Sequence, residues 1–107
     1  MNIQDRIKQR RSQMLVQSYI YYVMNDEIVT DTKWQEWADH LVELQEEHSE
    51  PIGFYDVEFE DWDGTTGYHL PHDHWVLKIA NRLIYYRDNP LPPMGLKRKR
   101  LNRGKRA

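Results

Sequence analysis

The first 24 residues of the chain have the hydrophobic spacing of a helix. Apolar and aromatic positions recur over residues 3–24 at steps of three, four and seven, without an intervening proline or glycine. This periodicity predicts an α-helix with one buried face. The positions expected on that face are Ile3, Ile7, Met14, Leu15, Ser18 and Tyr22. Asn25, Asp26 and Glu27 follow as a polar turn that ends the helix.

A second helical pattern covers residues 32–47, where Trp34, Trp37, Leu41 and Leu44 recur at steps of three, four and three. Asp31 precedes it and could accept amide hydrogens of the first turn as an N-cap. Because the link between the two helices is short, the pattern predicts an antiparallel hairpin over residues 1–50. The side chains expected to be largely buried between the helices are Leu15, Tyr22, Trp37, Leu41 and Leu44.

Residues 51–89 are predicted to complete the same domain. Residues 54–60 alternate, with Tyr55, Val57 and Phe59 on one side, which is the pattern of a short, half-buried β-strand. A turn at residues 61–67 and an N-cap at Asp73 lead into a third helix over residues 74–87. Its expected inner face consists of Val76, Ile79, Ala80, Leu83 and Ile84. The predicted fold class is therefore mainly α, with one short extended or β segment.

Length and composition narrow the class of protein. A chain of 107 residues forms one domain at most. It has no cysteine, which excludes disulfides and thiolate metal sites and fits a reducing compartment. The sequence has neither a long apolar run nor a charged-then-apolar leader. We therefore expect a soluble, cytoplasmic protein that does not enter a membrane.

The charge is distributed unevenly along the chain. Residues 12–86 contain fifteen acidic residues and three basic ones, whereas residues 97–107 contain seven basic residues and no acidic one. Residues 90–107 are predicted to form a flexible tail that contributes nothing to the core. The candidate nucleic-acid contacts in it are Lys97, Arg98, Lys99, Arg100, Arg103, Lys105 and Arg106. The tail could bind phosphates or an acidic protein, or act only as a solubilising segment.

The sequence offers little evidence for a metal site or a catalytic group. His69, His72, Asp73 and His74 are residue types that bind zinc, but they lack the three- or four-residue spacing of a helical site. A loop leading into a capped helix explains them better, and we expect no metal. No glycine-rich phosphate loop and no serine elbow occurs either.

The stretch YYVMNDEIVTDTKWQEWADHLVELQEEHSE, residues 21–50, resembles the N-terminal helical subdomain of bacterial NAD-dependent DNA ligases. The family pattern has a Tyr-Tyr-Val-Met-like start, an Ile-x-Asp, a Glu-Tyr-Asp, a Leu-x-x-Leu-Glu and a His-Pro-Glu. The corresponding segments here are 21–25, 29–31, 33–35, 41–45 and 48–50, and they align without a gap. The resemblance covers 30 of the 107 residues.

In that family the subdomain binds the nicotinamide mononucleotide half of NAD. The resemblance implies that the aromatic residues Tyr21, Tyr22 and Trp34 sandwich the nicotinamide ring and that Asp31 holds the ribose. Gln35 stands where the family has a second acid. Two further departures are an Asn at position 25 in place of an Asp, and Glu27 in place of a proline. The alternative is that Tyr21, Trp34 and Trp37 only pack the two helices together.

The resemblance does not extend to catalysis. The ligase nucleophile is the lysine of a Lys-x-Asp-Gly motif, and here Asp61 occupies the lysine position before Asp63 and Gly64. We therefore expect no enzyme activity and no tightly bound cofactor, with weak binding of nicotinamide mononucleotide or NAD at most. Stand-alone units of this kind resemble small proteins of phages and prophages.

The expected function is thus that of a phage-encoded binding protein. It would act through a protein partner, such as a host NAD-consuming or defence factor, or through a nicotinamide nucleotide. The alternative is a nucleic-acid accessory protein that contacts DNA or RNA with its tail.

Overall fold

Three helices form the described part of the protein. The structure, a computed structural model, describes residues 1–90. It consists of α1 (Ile3–Tyr22), α2 (Asp31–Glu47) and α3 (His74–Asp88). This confirms the mainly helical fold, although α1 ends two residues earlier than its pattern predicts. Within these residues no helix combines the length and the apolar character that crossing a membrane requires.

A polar N-cap residue precedes each helix, but it is not always the predicted one. The side chain of Asn2 accepts a hydrogen bond from the Asp5 amide at 2.8 Å and caps α1. The predicted cap of α2, Asp31, is wrong, because the Thr30 hydroxyl accepts from the Lys33 amide at 3.1 Å. Asp31 is instead the first helical residue, where its negative charge favours the positive end of the helix dipole.

Helix α1 is the central element, because it packs against both α2 and α3. Arg10 Nε donates to His40 Nδ1 at 2.9 Å, and Arg11 Nε donates to Gln45 Oε1 at 2.8 Å. The first half of α1 therefore lies beside the second half of α2, as in an antiparallel hairpin. The fully buried core contains Ile7, Met14, Leu15, Ile20, Ala38, Leu41, Phe59, Val76 and Ala80.

Three side chains expected in the core are more exposed than their spacing predicts. Tyr22 is 40% exposed, since it lies in the last turn of α1. Its hydroxyl forms a hydrogen bond of 2.9 Å with the Thr66 hydroxyl. Trp37 is only half-buried, and the Arg10 guanidinium lies 5.5 Å from the centre of its ring. Leu83 is exposed because α3 packs against one helix only and so buries a narrower face.

The predicted β-strand is wrong. Residues 56–61 form consecutive turns, with hydrogen bonds from Phe59 N to Tyr55 O at 3.2 Å and from Glu60 N to Val57 O at 3.3 Å. Residues 1–90 contain no strand with which an extended segment could pair. The backbone N–H and C=O groups of such a segment would therefore lack hydrogen-bond partners. Tyr55 also has a φ of 58°, in the left-handed region, which is incompatible with an extended chain.

The buried guanidinium of Arg11 holds this irregular segment against the hairpin. Arg11 is 6% exposed. Its Nη1 donates to the carbonyl oxygen of Phe54 at 2.7 Å and to Asp56 Oδ1 at 2.9 Å. Because Nε of the same side chain is bonded to Gln45 on α2, a single residue of α1 joins α2 to the segment that follows it.

A second set of polar contacts joins the same segment to α3. The Tyr55 hydroxyl donates to the Asp73 carboxylate and accepts from Trp75 Nε1 at 2.7 Å. Asp73 stands at the predicted N-cap position of α3, but its side chain makes no hydrogen bond to that helix. Burial, followed by the hydrogen bond to Asp73, raises the pKa of Tyr55.

The loop at residues 61–67 approaches α1 closely at Gly67. A Cβ at this position would lie 2.0 Å from Ser18 Oγ and 2.8 Å from Ser18 Cβ. The Ser18 hydroxyl is buried and has no hydrogen-bond partner among the described residues. The loop can therefore pack here only because position 67 carries no side chain.

We expect Gly67→Ala to lower the free energy of unfolding by about 1–3 kcal/mol, because its methyl group overlaps Ser18. In a Ser18→Gly background the same substitution should cost much less, since both clashing atoms are gone. Chemical denaturation of the four proteins gives this coupling.

Gly53→Ala is the matched control. Gly53 has a φ of 79°, and a methyl group added there would have no other atom within 4 Å, so its cost is one of backbone conformation alone. That cost should be the same with and without Ser18→Gly. If Gly67→Ala lowered the free energy of unfolding equally in both backgrounds, this result would contradict the close packing of Gly67 against Ser18.

Low pH should weaken the hydrogen bonds that the Asp56 carboxylate accepts. Hydrogen bonds from the Ile52 amide, the Arg11 guanidinium and the Gly53 amide lower the pKa of Asp56 from 3.8 to about 2. Because folding lowers this pKa, the stabilisation is complete above the ordinary value and is lost as the pH falls towards 2. The difference in unfolding free energy between the wild type and Asp56→Asn should therefore shrink from about pH 5 to pH 2. A difference that stays constant would contradict this role.

A candidate ligand-binding cleft

The end of α1 and the start of α2 border an open cleft of about 220 Å³. All five residues that the ligase resemblance assigns to nicotinamide binding line this one cleft: Tyr21, Tyr22, Asp31, Trp34 and Gln35. They come from the last turn of α1 and from the first five residues of α2. The turn between these helices therefore brings together side chains that are up to 14 positions apart in the sequence.

Tyr21 contributes an accessible ring to the cleft. Its side chain is 51% exposed, and its ring meets Tyr22 edge to face with 4.9 Å between centroids. Tyr22 is held in turn by the hydrogen bond to Thr66 and by an edge-to-face contact with Tyr68 at 5.4 Å. Tyr21 is thus not a core residue, so helix packing alone does not account for it.

Trp34 belongs both to the cleft and to the packing beneath it. It is half-buried, and its ring lies edge-on to Trp62 with 6.2 Å between centroids. Trp62 is itself buried and donates from Nε1 to the carbonyl oxygen of Thr66 at 2.7 Å. The packing interpretation therefore holds in part for Trp34, while Trp37 does not line the cleft.

Gln35 is already engaged as a donor. Its Nε2 donates to Asp39 Oδ1 at 2.9 Å and to the carbonyl oxygen of Gly64 at 3.0 Å. Both amide hydrogens are therefore used, and Oε1 is the atom with which Gln35 could accept from a ligand. These two bonds also fix the loop against α2 at the wall of the cleft.

The charge of the cleft is negative. Asp31 and Glu27 line it, and within residues 1–90 neither carboxylate makes an ion pair or a hydrogen bond. The described residues contribute no lysine, arginine or histidine to its lining.

The turn that carries Glu27 is held by Arg87 of α3. Arg87 donates from Nη1 and Nη2 to the two carboxylate oxygens of Asp26, at 2.8 and 3.0 Å. Nη1 also donates to the carbonyl oxygen of Glu27 at 3.0 Å. These hydrogen bonds from Arg87 lower the pKa of Asp26. Arg87 of α3 thereby fixes the backbone of the turn between α1 and α2. It positions Glu27, although Arg87 does not line the cleft.

Four lining residues were not predicted as part of the site: Gln17, Glu27, Val29 and Thr65. Gln17 lies one helical turn before Tyr21, so the four-residue spacing could have indicated it. The sequence places Glu27 in the turn after α1, where the ligase pattern has a proline, and Val29 in the link between the helices, without indicating a binding role for either residue. Thr65 comes from a loop whose position depends on long-range contacts, and no sequence signal points to it.

A second cavity, of about 350 Å³, lies beside Arg11, Gln45 and Asp56. Its central polar groups bond to one another, since Arg11 contacts both Gln45 and Asp56. This cavity is therefore a less suitable ligand site than the first, where the carboxylates have no partner within residues 1–90.

The histidine-rich segment does not assemble into a metal site in the described residues. His72 packs edge to face against Tyr19 with 5.3 Å between centroids, and Asp73 is bonded to Tyr55. Residues 1–90 contain no group of three or more histidine, aspartate or glutamate side chains that could hold a metal ion.

The predicted nucleic-acid contacts in the tail lie outside the described residues. They are Lys97, Arg98, Lys99, Arg100, Arg103, Lys105 and Arg106.

Comparisons with protein-family models, with curated proteins and with solved structures found no match for this chain. The resemblance to the ligase subdomain therefore stays a prediction from the sequence.

Proposed function

We propose that the chain is a small, phage-encoded, non-catalytic binding protein built on a helical unit like the nicotinamide-binding subdomain of NAD-dependent DNA ligases. It acts through its cleft, on a nicotinamide nucleotide or on a protein partner such as a host NAD-consuming or defence factor. The observation that carries this proposal is the convergence of Tyr21, Tyr22, Asp31, Trp34 and Gln35 on one cleft.

The side chains suit the ring and ribose of a nucleotide. Tyr21 and Trp34 offer flat aromatic surfaces on which a nicotinamide can stack. The Asp31 carboxylate, with no protein partner among residues 1–90, can accept hydrogen bonds from ribose hydroxyls. Gln35 lacks the charge of the acid found in the ligases, and a hydrogen bond to a charged group is worth about 1.5–3 kcal/mol. The expected affinity is therefore about tenfold to a hundredfold weaker than an acid at this position would give.

The absence of catalysis is part of the same proposal. Asp61 occupies the position of the adenylated lysine, and Asp63 accepts hydrogen bonds from the amide and the hydroxyl of Thr65 at 3.0 and 2.7 Å. These contacts give the Asp-Gly pair a local structural role in a loop. Asp61 lacks the amine with which the ligase lysine forms its phosphoramidate bond to the adenylate, which supports a binding function.

Titration calorimetry with nicotinamide mononucleotide and with NAD tests the proposal. We expect weak binding, in the high micromolar range or above. Asp31→Ala should abolish it by removing the ribose acceptor, and Trp34→Ala should abolish it by removing a stacking surface.

Glu43→Ala is the matched control for Asp31→Ala, because it removes an exposed acid from α2 that does not line the cleft. It should leave binding unchanged, as should Arg100→Ala. Circular dichroism establishes that each variant is folded. If neither ligand gives a signal at millimolar concentration, the nucleotide function is wrong and a protein partner remains.

A nucleic-acid accessory function is the second candidate, and the seven basic residues in the last eleven favour it. Most of the rest of the chain is acidic, so contact with phosphates falls to the tail. In this case the described domain would bind a protein while the tail binds DNA or RNA.

Removing residues 95–107 distinguishes this candidate from the first. The full chain should bind double-stranded DNA with an affinity that falls steeply with salt, by about 0.9 logarithmic units per phosphate contact for each tenfold rise in salt. The truncated chain should lose this binding but keep any affinity for the nucleotide. DNA binding that survives truncation, or that the full chain lacks, would rule out a tail-mediated function.

A further inference from the structure

We infer that the cleft selects a positively charged aromatic ring over a neutral ring of the same shape, and that the carboxylate of Glu27 contributes to this selectivity. The inference rests on the proposed function in taking nicotinamide as the ring. It adds that the oxidised, cationic form binds and that the reduced, neutral form is discriminated against.

The first support is the unbalanced charge of the cleft. Glu27 and Asp31 are the charged residues that line it, and both are acidic. The nearby bases are committed to other acids: Lys33 Nζ lies 3.1 Å from Glu36, and Arg87 is bonded to the carboxylates of Asp26 and Asp88. A cation entering the cleft therefore meets two carboxylates that have no partner within the described residues.

The second support is the aromatic lining. Tyr21, Tyr22 and Trp34 border the same cleft, and the face of such a ring attracts a cation, most strongly in tryptophan. Aromatic faces alone would accept any flat ring, and carboxylates alone would accept any cation. Their combination in one cleft favours a ligand that is both flat and positively charged.

The two carboxylates do not contribute equally. Asp31 is the first residue of α2, so part of its charge is offset by the positive end of the helix dipole, which is equivalent to about half an elementary charge. Glu27 lies in the turn before the helix and has no such offset. Glu27, which stands where the ligase pattern has a proline, is therefore the carboxylate whose charge is most available to a ligand.

The same charges restrict how a nucleotide could bind. Of the lining residues within 1–90, a phosphate inside the cleft would face two carboxylates and no base. The nicotinamide must therefore enter ring first, with its phosphate directed out of the cleft into solvent. In this arrangement the phosphate makes no contact with the lining residues, so the ring and the ribose supply the expected affinity.

Two small probes isolate the effect of ring charge on the full-length protein: 1-methylnicotinamide, which is a permanent cation, and nicotinamide, which is neutral at pH 7. Neither carries a phosphate. From the size of exposed and desolvated cation–π interactions, we expect the cation to bind about fivefold to thirtyfold more tightly. Calorimetry or quenching of tryptophan fluorescence measures both affinities.

Glu27→Gln tests the assignment to this residue, because it keeps the shape and removes the charge. The preference for the cation should fall by about twofold to fivefold, while the affinity for neutral nicotinamide stays the same. Glu43→Gln is the matched control, because it removes the same charge from a residue that does not line the cleft. It should leave the preference for the cation unchanged. Equal affinities of the wild type for the two probes, no binding of either, or a preference that Glu27→Gln does not alter would overturn the inference.

Failure of the inference and failure of the nucleotide function give different results. If 1-methylnicotinamide binds selectively but the mononucleotide does not, the ring selectivity stands and the nucleotide function falls. If the oxidised and reduced mononucleotides bind equally well, the nucleotide function stands and the charge selectivity falls.

Discussion

The buried guanidinium of Arg11 is the contact on which the arrangement of the other elements depends. It is the only buried charged side chain in residues 1–90, and it meets Gln45 of α2 together with Phe54 and Asp56 of the irregular segment. A buried charge is costly unless it is paired and hydrogen-bonded. The segment after α2 therefore has to return to α1, and this return brings the loop at residues 61–67 alongside both helices.

The cleft is a consequence of that return. On one side, Gln35 holds the carbonyl oxygen of Gly64 and so fixes the loop to α2. On the other, Gly67 lies so close to Ser18 of α1 that no side chain fits between them. Arg87 independently fixes the turn between the helices through Asp26. Three separate contacts thus shape an opening in which the carboxylates of Glu27 and Asp31 have no protein partner within residues 1–90.

The sequence predicts the parts of this fold that depend on local order. Helical periodicity locates all three helices, because a buried face repeats at the helical period wherever the helix packs. The alternating pattern at residues 54–60 does not correspond to a strand. Val57 is 80% exposed, Phe59 is buried, and both lie in consecutive turns. The resemblance groups Tyr21 with Trp34, and both residues line the cleft. Thr65 escapes prediction because a long-range contact, rather than a local pattern, brings it there.

The central claim is that the cleft beside Trp34 is the place where this protein binds its ligand, and the four tryptophans allow a direct test. Indole N–H signals in two-dimensional NMR can be followed while 1-methylnicotinamide is added to the full-length protein. Trp34 should shift most, with a smaller change at Trp62 because the two rings touch. Trp37 and Trp75, which do not line the cleft, should stay unchanged. A largest shift at Trp37 or Trp75, or no shift at all, would contradict the account.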